Sequence, residues 1–247
     1  LCRIRAPVAP EIARKMVTVP IKTCIRTLST TSRMDKSFAK WYRSLWQPKG
    51  NDEPPYDHIV QLGDPVLRVP ANAIPEKELQ SAEVQYLARH LTKVMRAYRC
   101  VGLAAPQLGL SLRAFVMEFK DELRDQYTKA DYKLREMEPL PLTILLNPEL
   151  KVLNYEKVIH TEACESVRGY RADVPRYREI LLQGFDATGN RQELRLSGWN
   201  ARIAQHEMDH LNGIVYTDIM NRKSLTCTCW QAVNAKSGRI QLSFASK

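Results

Sequence analysis

No stretch of this 247-residue chain reaches the roughly 18 uninterrupted apolar residues that a membrane-spanning helix needs, because Lys, Arg, Asp or Glu breaks every hydrophobic run. A helical membrane span is therefore not expected. Cysteine is sparse and irregular, at positions 2, 24, 100, 164, 227 and 229, which is unlike the dense disulfide framework of a small secreted domain. The pattern fits a reduced compartment, where a thiol is free to ligate a metal. The chain has only five histidines, so any two at a meaningful spacing carry weight, and no internal repeat is visible.

Acid is nearly missing from the first 34 residues, which hold seven basic side chains against Glu11 alone. The same segment is rich in hydroxyls (Thr18, Thr23, Thr27, Ser29, Thr30, Thr31, Ser32) and has no long apolar core. This is the composition of a mitochondrial transit peptide rather than a secretory signal, with a disordered basic tail as the bland alternative. The remaining 213 residues carry 30 basic and 26 acidic groups. The overall charge of +10 thus belongs mostly to the address and does not argue for nucleic-acid binding. Trp41 and Trp46, with bases nearby, sit in no recognisable nucleic-acid module.

The expected organisation is a transit peptide over 1–34, a linker over 35–57, a catalytic domain over 58–225 and a C-terminal extension over 226–247. Residues 47–57 combine Pro, Gly and charge without periodicity. Between Pro75 and Arg99, the apolar spacing of Leu79, Val84, Leu87, Leu91, Val94, Met95 and Tyr98 predicts an amphipathic packing helix. Strands are expected over 112–119, 143–146, 150–155, 177–185 and 191–196. The charged region 120–139 reads as an insertion. A late helix is expected from a Ser197 cap through Trp199 and Ile203 to Leu211, with Gly213 as a left-handed stop. Strands with helices segregated among them, and no regular βαβ alternation, make the fold class α+β.

The strongest local signal is Gln205-His206-Glu207-Met208-Asp209-His210-Leu211. In this HExxH pattern, imidazoles four residues apart share one helix face and can reach one metal ion, while Glu207 addresses water. A surface helix with two chance histidines is the rival reading. A catalytic site wants a third protein ligand and an open position. Asp218, Cys227 and Cys229 lie downstream and Cys164 upstream, and the residues alone leave the choice open.

Two further blocks precede the HExxH: Gly102-Leu103-Ala104-Ala105-Pro106-Gln107, and Thr161-Glu162-Ala163-Cys164-Glu165-Ser166. With Gly63-Asp64-Pro65-Val66-Leu67-Arg68 as an opening segment, the three blocks in this order resemble the peptide deformylases, whose patterns run GxGxAAxQ, EGCxS and QHExDHL. The acidic residue after the cysteine is similar to the animal mitochondrial branch. The resemblance covers about residues 58–220.

It implies a peptide-deformylase-like fold of short, mostly antiparallel strands around a C-terminal HExxH helix. It further implies Cys164, His206 and His210 as ligands of one divalent ion: ferrous iron by the family's habit, with zinc, cobalt and nickel also suited to the donors. Glu207 would move protons, Gln107 and the backbone N–H of Glu165 would bind the developing oxyanion, and Gly102 would line the substrate groove. Ala163 and Arg171 are further substrate-contact candidates, Arg171 being weighed against a surface role.

The implied reaction is hydrolytic removal of the formyl group from N-formylmethionine on nascent chains made in the mitochondrion. Its partners are formylated nascent peptides and, in the matrix, the mitochondrial ribosome. The alternatives are a catalytically silent relative that binds peptides or ribosomes, and another HExxH metallopeptidase with a different third ligand.

Three positions depart from the family pattern. Cys100 replaces the first Gly, Ala163 replaces the Gly before the ligand, and Glu165 stands where bacterial members usually carry Leu. Ala163 would be costly if its backbone needed positive φ, and Glu165 places a negative charge beside the site. Elsewhere, Asp209 is placed either to pair with Arg176 or to stay solvated. Cys100 reads as a buried small hydrophobe, and Cys227 and Cys229 lack the partners of a second metal site.

Overall fold

The computed structural model describes residues 53–246; the transit-peptide segment and most of the expected linker lie outside them. The contacts of the catalytic domain reach slightly further back than His58, since Tyr56 donates its N–H to Leu108 O at 3.0 Å and stacks on His58. A Pro-rich approach hid this contact.

Helix α1 spans Ala82–Tyr98, with the Ser81 hydroxyl capping Val84 N at 3.3 Å. The expected apolar face is buried, from Val84 through Leu87, Leu91 and Val94 to Met95. It packs against strands β1 (Gly102–Ala104) and β2 (Ala114–Phe119).

The sheet runs on through β3 (Leu140–Ala163), β4 (Tyr170–Phe185) and β5 (Arg191–Ser197) in sequential order. Every ladder is antiparallel. The fold is α+β as expected, but its central strands are not short. The segments expected at 143–146 and 150–155 are parts of one strand of 24 residues that bends at register irregularities and continues to the end of the cysteine block. Asn147, in the left-handed region at φ 49°, marks the first irregularity. Its side-chain amide bonds both Ile74 N and Ile74 O, at 2.8 and 2.7 Å.

Region 120–139 is not a loose insertion. It forms a 3-10 turn and helix α2 (Lys129–Leu134); Tyr127 after the turn and Tyr132 of α2 pack on Phe119, while Met137 enters the core.

Helix α3 (Gly198–Leu211) buries Ala201, Ile203, Ala204, Met208 and Leu211 in the cluster formed with Phe115, Met117, Leu145, Ile180 and Leu182. Ser197 occupies the N-cap, but its side chain makes no capping bond; Gly213 supplies the left-handed stop at φ 73°. Helix α4 (Tyr216–Ile219) follows. Strand β6 (Thr226–Cys227) then pairs with Tyr170 and Arg171 of β4, and α5 (Trp230–Ala235) leads into the C-terminal tail. The sheet end at Cys164 and the helix face at His206 are thereby brought together.

Candidate metal centre

Cys164 directly follows β3, where the chain leaves the sheet for a short 3-10 turn over Glu165–Val167. That turn is clamped from the side. Gln61 donates its amide to Glu165 O at 2.8 Å, and Leu62 N bonds Ser166 O at 2.7 Å. The residues just before the opening segment thus hold the cysteine block, a role that they did not announce in the sequence.

Helical spacing places His206 and His210 on one face of α3, with ring centroids 5.1 Å apart. Cys164 Sγ lies 3.2 Å from His210 Nε2. One donor atom from each of Cys164, His206 and His210 falls within 4.8 Å of the others, the one such grouping among the described residues. Asp218 instead caps Val215 N and pairs with Arg68, while Cys227 and Cys229 face each other at 3.4 Å. They are no part of this cluster.

The donor set fits one divalent ion. One thiolate and two imidazole nitrogens are the donors that zinc, iron and their neighbours accept. Cys164 and His206 line an open cleft, whereas His210 is buried behind them.

The surroundings favour a cation. His206 Nδ1 lies 3.0 Å from Glu162 Oε2, leaving Nε2 for the centre. Burial alone would pull the His206 imidazolium down, but the Cys164 sulfur and the Glu162 carboxylate outweigh it and hold the group well above its ordinary value. Burial, with repulsion from His206 and Arg176, drives His210 well below its own. Positive charge is thus drawn to the space between Cys164 and Glu162.

Glu162 is the hub of a buried network. Arg176 donates to it bidentately, with both contacts at 2.9 Å, and Arg202 donates at 2.6 Å. Burial opposes this ionisation, yet the bonds from His206 and Arg176 hold the Glu162 carboxyl well below the usual carboxylate range. Arg176 also pairs with Asp209, as its position on α3 allowed. Arg202 is tied to Val174 O and Val158 O at 2.9 and 2.6 Å. Glu162 and Arg202 escaped sequence reading because their partners lie far away in the chain.

Glu207 is buried beside the cleft, with Oε2 lacking any hydrogen-bond partner. Burial pushes its carboxyl up to about 7, against the opposing pull of His206 and Arg176. Gln107 is oriented by its own loop: Oε1 accepts from Ala104 N at 2.9 Å, which turns Nε2 towards Ser166 Oγ at 3.2 Å and Cys164 Sγ at 3.6 Å. The N–H of Glu165 is the first of its 3-10 turn and has no acceptor within it.

Gly102, Gln107, Ala163, Glu165 and Glu207 all line the same cleft. Arg171 does not. It is exposed on β4, and strand alternation turns it away from the side taken by Tyr170. Arg168 lines the cleft instead. Ala163 is extended within β3 rather than at positive φ, so its Cβ causes no backbone strain. Cys100 is partly exposed at the cleft wall rather than fully buried, though desolvation pushes its thiol up, with Glu207 adding to the effect.

Among relatives, the human mitochondrial peptide deformylase is 43% identical over 197 residues, covering 78% of this chain and 81% of that protein. Peptide deformylase 1A of Arabidopsis thaliana, chloroplastic/mitochondrial, is 38% identical over 225 residues, covering 89% and 80%. Among solved structures, the class I type b peptide deformylase of Acinetobacter baumannii bound to Met-Ala-Ser superposes with TM-score 0.58 at 26% identity. That match covers 66% of this chain and 96% of the other. The family model for polypeptide deformylase matches residues 56–225, which contain every side chain of the cluster and its network, and the chain belongs to that family.

Proposed function

We propose that this protein removes the formyl group from N-formylmethionine at the amino terminus of nascent polypeptides, acting as a metal-dependent peptide deformylase of the mitochondrion. The observation that carries the reading is the convergence of Cys164, His206 and His210 within 4.8 Å, beside a buried carboxylate with an unpartnered oxygen. The catalytic domain spans 58–225, supported by the family match over 56–225. The basic segment 1–34 serves as the organellar address, in keeping with the mitochondrial human relative, and delivers the enzyme to the matrix.

Cys164, His206 and His210 would hold the ion, with ferrous iron preferred. A divalent ion so held supplies Lewis-acid polarisation and lowers the pKa of water towards neutrality.

The protein's own groups do the rest. Glu207, with its carboxyl near 7, accepts a proton from the attacking water and returns it to the leaving amine. Gln107 Nε2 and the Glu165 N–H bind the formyl oxygen as it gathers charge; one such donor is worth about 2.7–4 kcal/mol in the transition state. Gly102 and Ala163 leave space for the substrate backbone. Glu165, the departure that argues for a weak or silent relative, has its charge partly offset by Arg168 at 3.6 Å.

Formate release from formyl-Met-Ala-Ser by the full chain, prepared with ferrous iron without air, tests the proposal. Turnover with one equivalent of metal, both lost in Cys164→Ala, is expected. Metal-loaded protein that binds the peptide without releasing formate would establish the silent binder, and Cys164→Ala with undiminished metal would establish a different ligand set.

A further inference from the structure

The cleft is not built by the family core alone. Its volume of about 710 Å³ lies within the range of roughly 300–1,000 Å³ typical of ligand sites. One wall of it comes from Gln241, Leu242 and Ser243, well beyond the last residue of the family match at 225.

This tail is fastened immediately after the wall. Tyr98 donates its hydroxyl to Phe244 O at 2.8 Å, and Arg168 donates to Ala245 O at 2.9 Å. Leu242 packs so closely on Gly169 that a Cβ added there would meet its Cδ1 at 3.0 Å. The tail carries no helix or strand. Among the described residues, the backbone N–H and C=O groups of Gln241, Leu242 and Ser243 have no hydrogen-bond partner. An anchored segment with unpaired main chain at a cleft wall is what an extended peptide needs in order to add alongside as a strand. A plug would fill the cleft; this segment leaves it open.

Building on the deformylase reading, we infer that the C-terminal tail is a substrate-contact wall: main chain and side chains of residues 241–243 bind the part of the nascent peptide that follows the formylmethionine. The tail thereby sets the enzyme's preference for residues at the third position and beyond. Arg168 and Tyr98 act as positioning residues through the tail.

The test compares the full chain with a truncation after Ile240, using formyl-Met-Ala and a formylated pentapeptide. Truncation is expected to raise KM for the pentapeptide by roughly fivefold or more, as the loss of one or more hydrogen bonds implies. KM for the dipeptide and kcat for both should stay within about twofold. An unchanged KM for the pentapeptide overturns the inference, and a lowered one makes the tail an obstruction instead.

Leu242→Asp, which keeps both anchors, should shift preference towards a basic third residue over Ala by about fivefold, since an acidic wall attracts the basic side chain; no shift would count against the wall. Calorimetric binding of the pentapeptide reads the tail's contribution without turnover. Weaker binding to the truncated chain would uphold the tail even if formate were never released, whereas equal binding would sink it whatever the activity.

Discussion

Glu207 Oε1 lies over the α-carbon of Gly102, so that a Cβ built on Gly102 would stand only 2.3 Å from it. The glycine is required because the Glu207 side chain of α3 approaches β1 too closely for any side chain there. Gly102→Ala is expected to push the carboxylate aside while leaving the ligands in place. A displacement of about 1 Å at a reacting group typically costs on the order of 100-fold. Steady-state kinetics should therefore show kcat reduced to that extent, with metal content at the wild-type level. A variant that retains full kcat would mean that Glu207 need not occupy this position.

Glu162 holds His206 on one oxygen while its carboxylate is shared by Arg176 and Arg202. Glu162→Gln keeps the shape but leaves buried Arg202 without its anion and Arg176 with Asp209 alone. Breaking such a pair costs about 3–5 kcal/mol, to be read from denaturant midpoints. Loss of the carboxylate behind a ligating imidazole should also weaken metal binding by roughly 10–100-fold in a competition titration. Because the folded carboxyl is depressed, its contribution is present above the unfolded value of about 4.3 and fades only as pH falls towards the folded one. The deficit of the variant should thus persist through mildly acidic pH and narrow in strong acid.

These two relationships differ in how far the sequence discloses them. Glycine, glutamate and the two imidazoles stand in local patterns whose spacing carries the chemistry, so α3 and its proton carrier are legible, as is α1 from its 3.6-residue periodicity. Glu162 is not, because its meaning depends on Arg176 and Arg202, which are 14 and 40 residues away. The same holds for β3. Asn147 and Pro148 read as a turn, and Glu156 and Lys157 interrupt the alternation, but pairing with β4 carries the strand through both. Tertiary pairing overrides local signal at these points. The tail lacks periodicity altogether, and only its anchors on Tyr98 and Arg168 give it a place.

Gln107 is locked with its oxygen on Ala104 N, so its amide nitrogen has one direction left. Gln107→Glu would keep the length and turn a donor into an acceptor. A fall in kcat of about 10²–10³ is expected, the usual loss for one oxyanion donor, with KM changed little because the developing charge, not the ground-state carbonyl, is what the donor recognises. A variant whose KM rose while kcat held would place Gln107 in ground-state binding instead.

Glu165 sets a carboxylate at the cleft, with Oε2 buried and without a hydrogen-bond partner. Its ion pair with Arg168 is long, at 3.6 Å, so the negative charge is only partly compensated where an oxyanion must form. Glu165→Leu removes that charge and leaves the backbone N–H in place. At an effective dielectric of about 20, a charge several ångströms away contributes on the order of a few kcal/mol before screening, so after screening kcat should rise by roughly three- to thirtyfold. The gain should shrink as salt increases, because added ions screen the repulsion in the wild type but have nothing to relieve in the variant. A salt-independent change would instead attribute the effect to packing against Arg168, and a fall in kcat would make the carboxylate a contributor to the reaction rather than a brake on it.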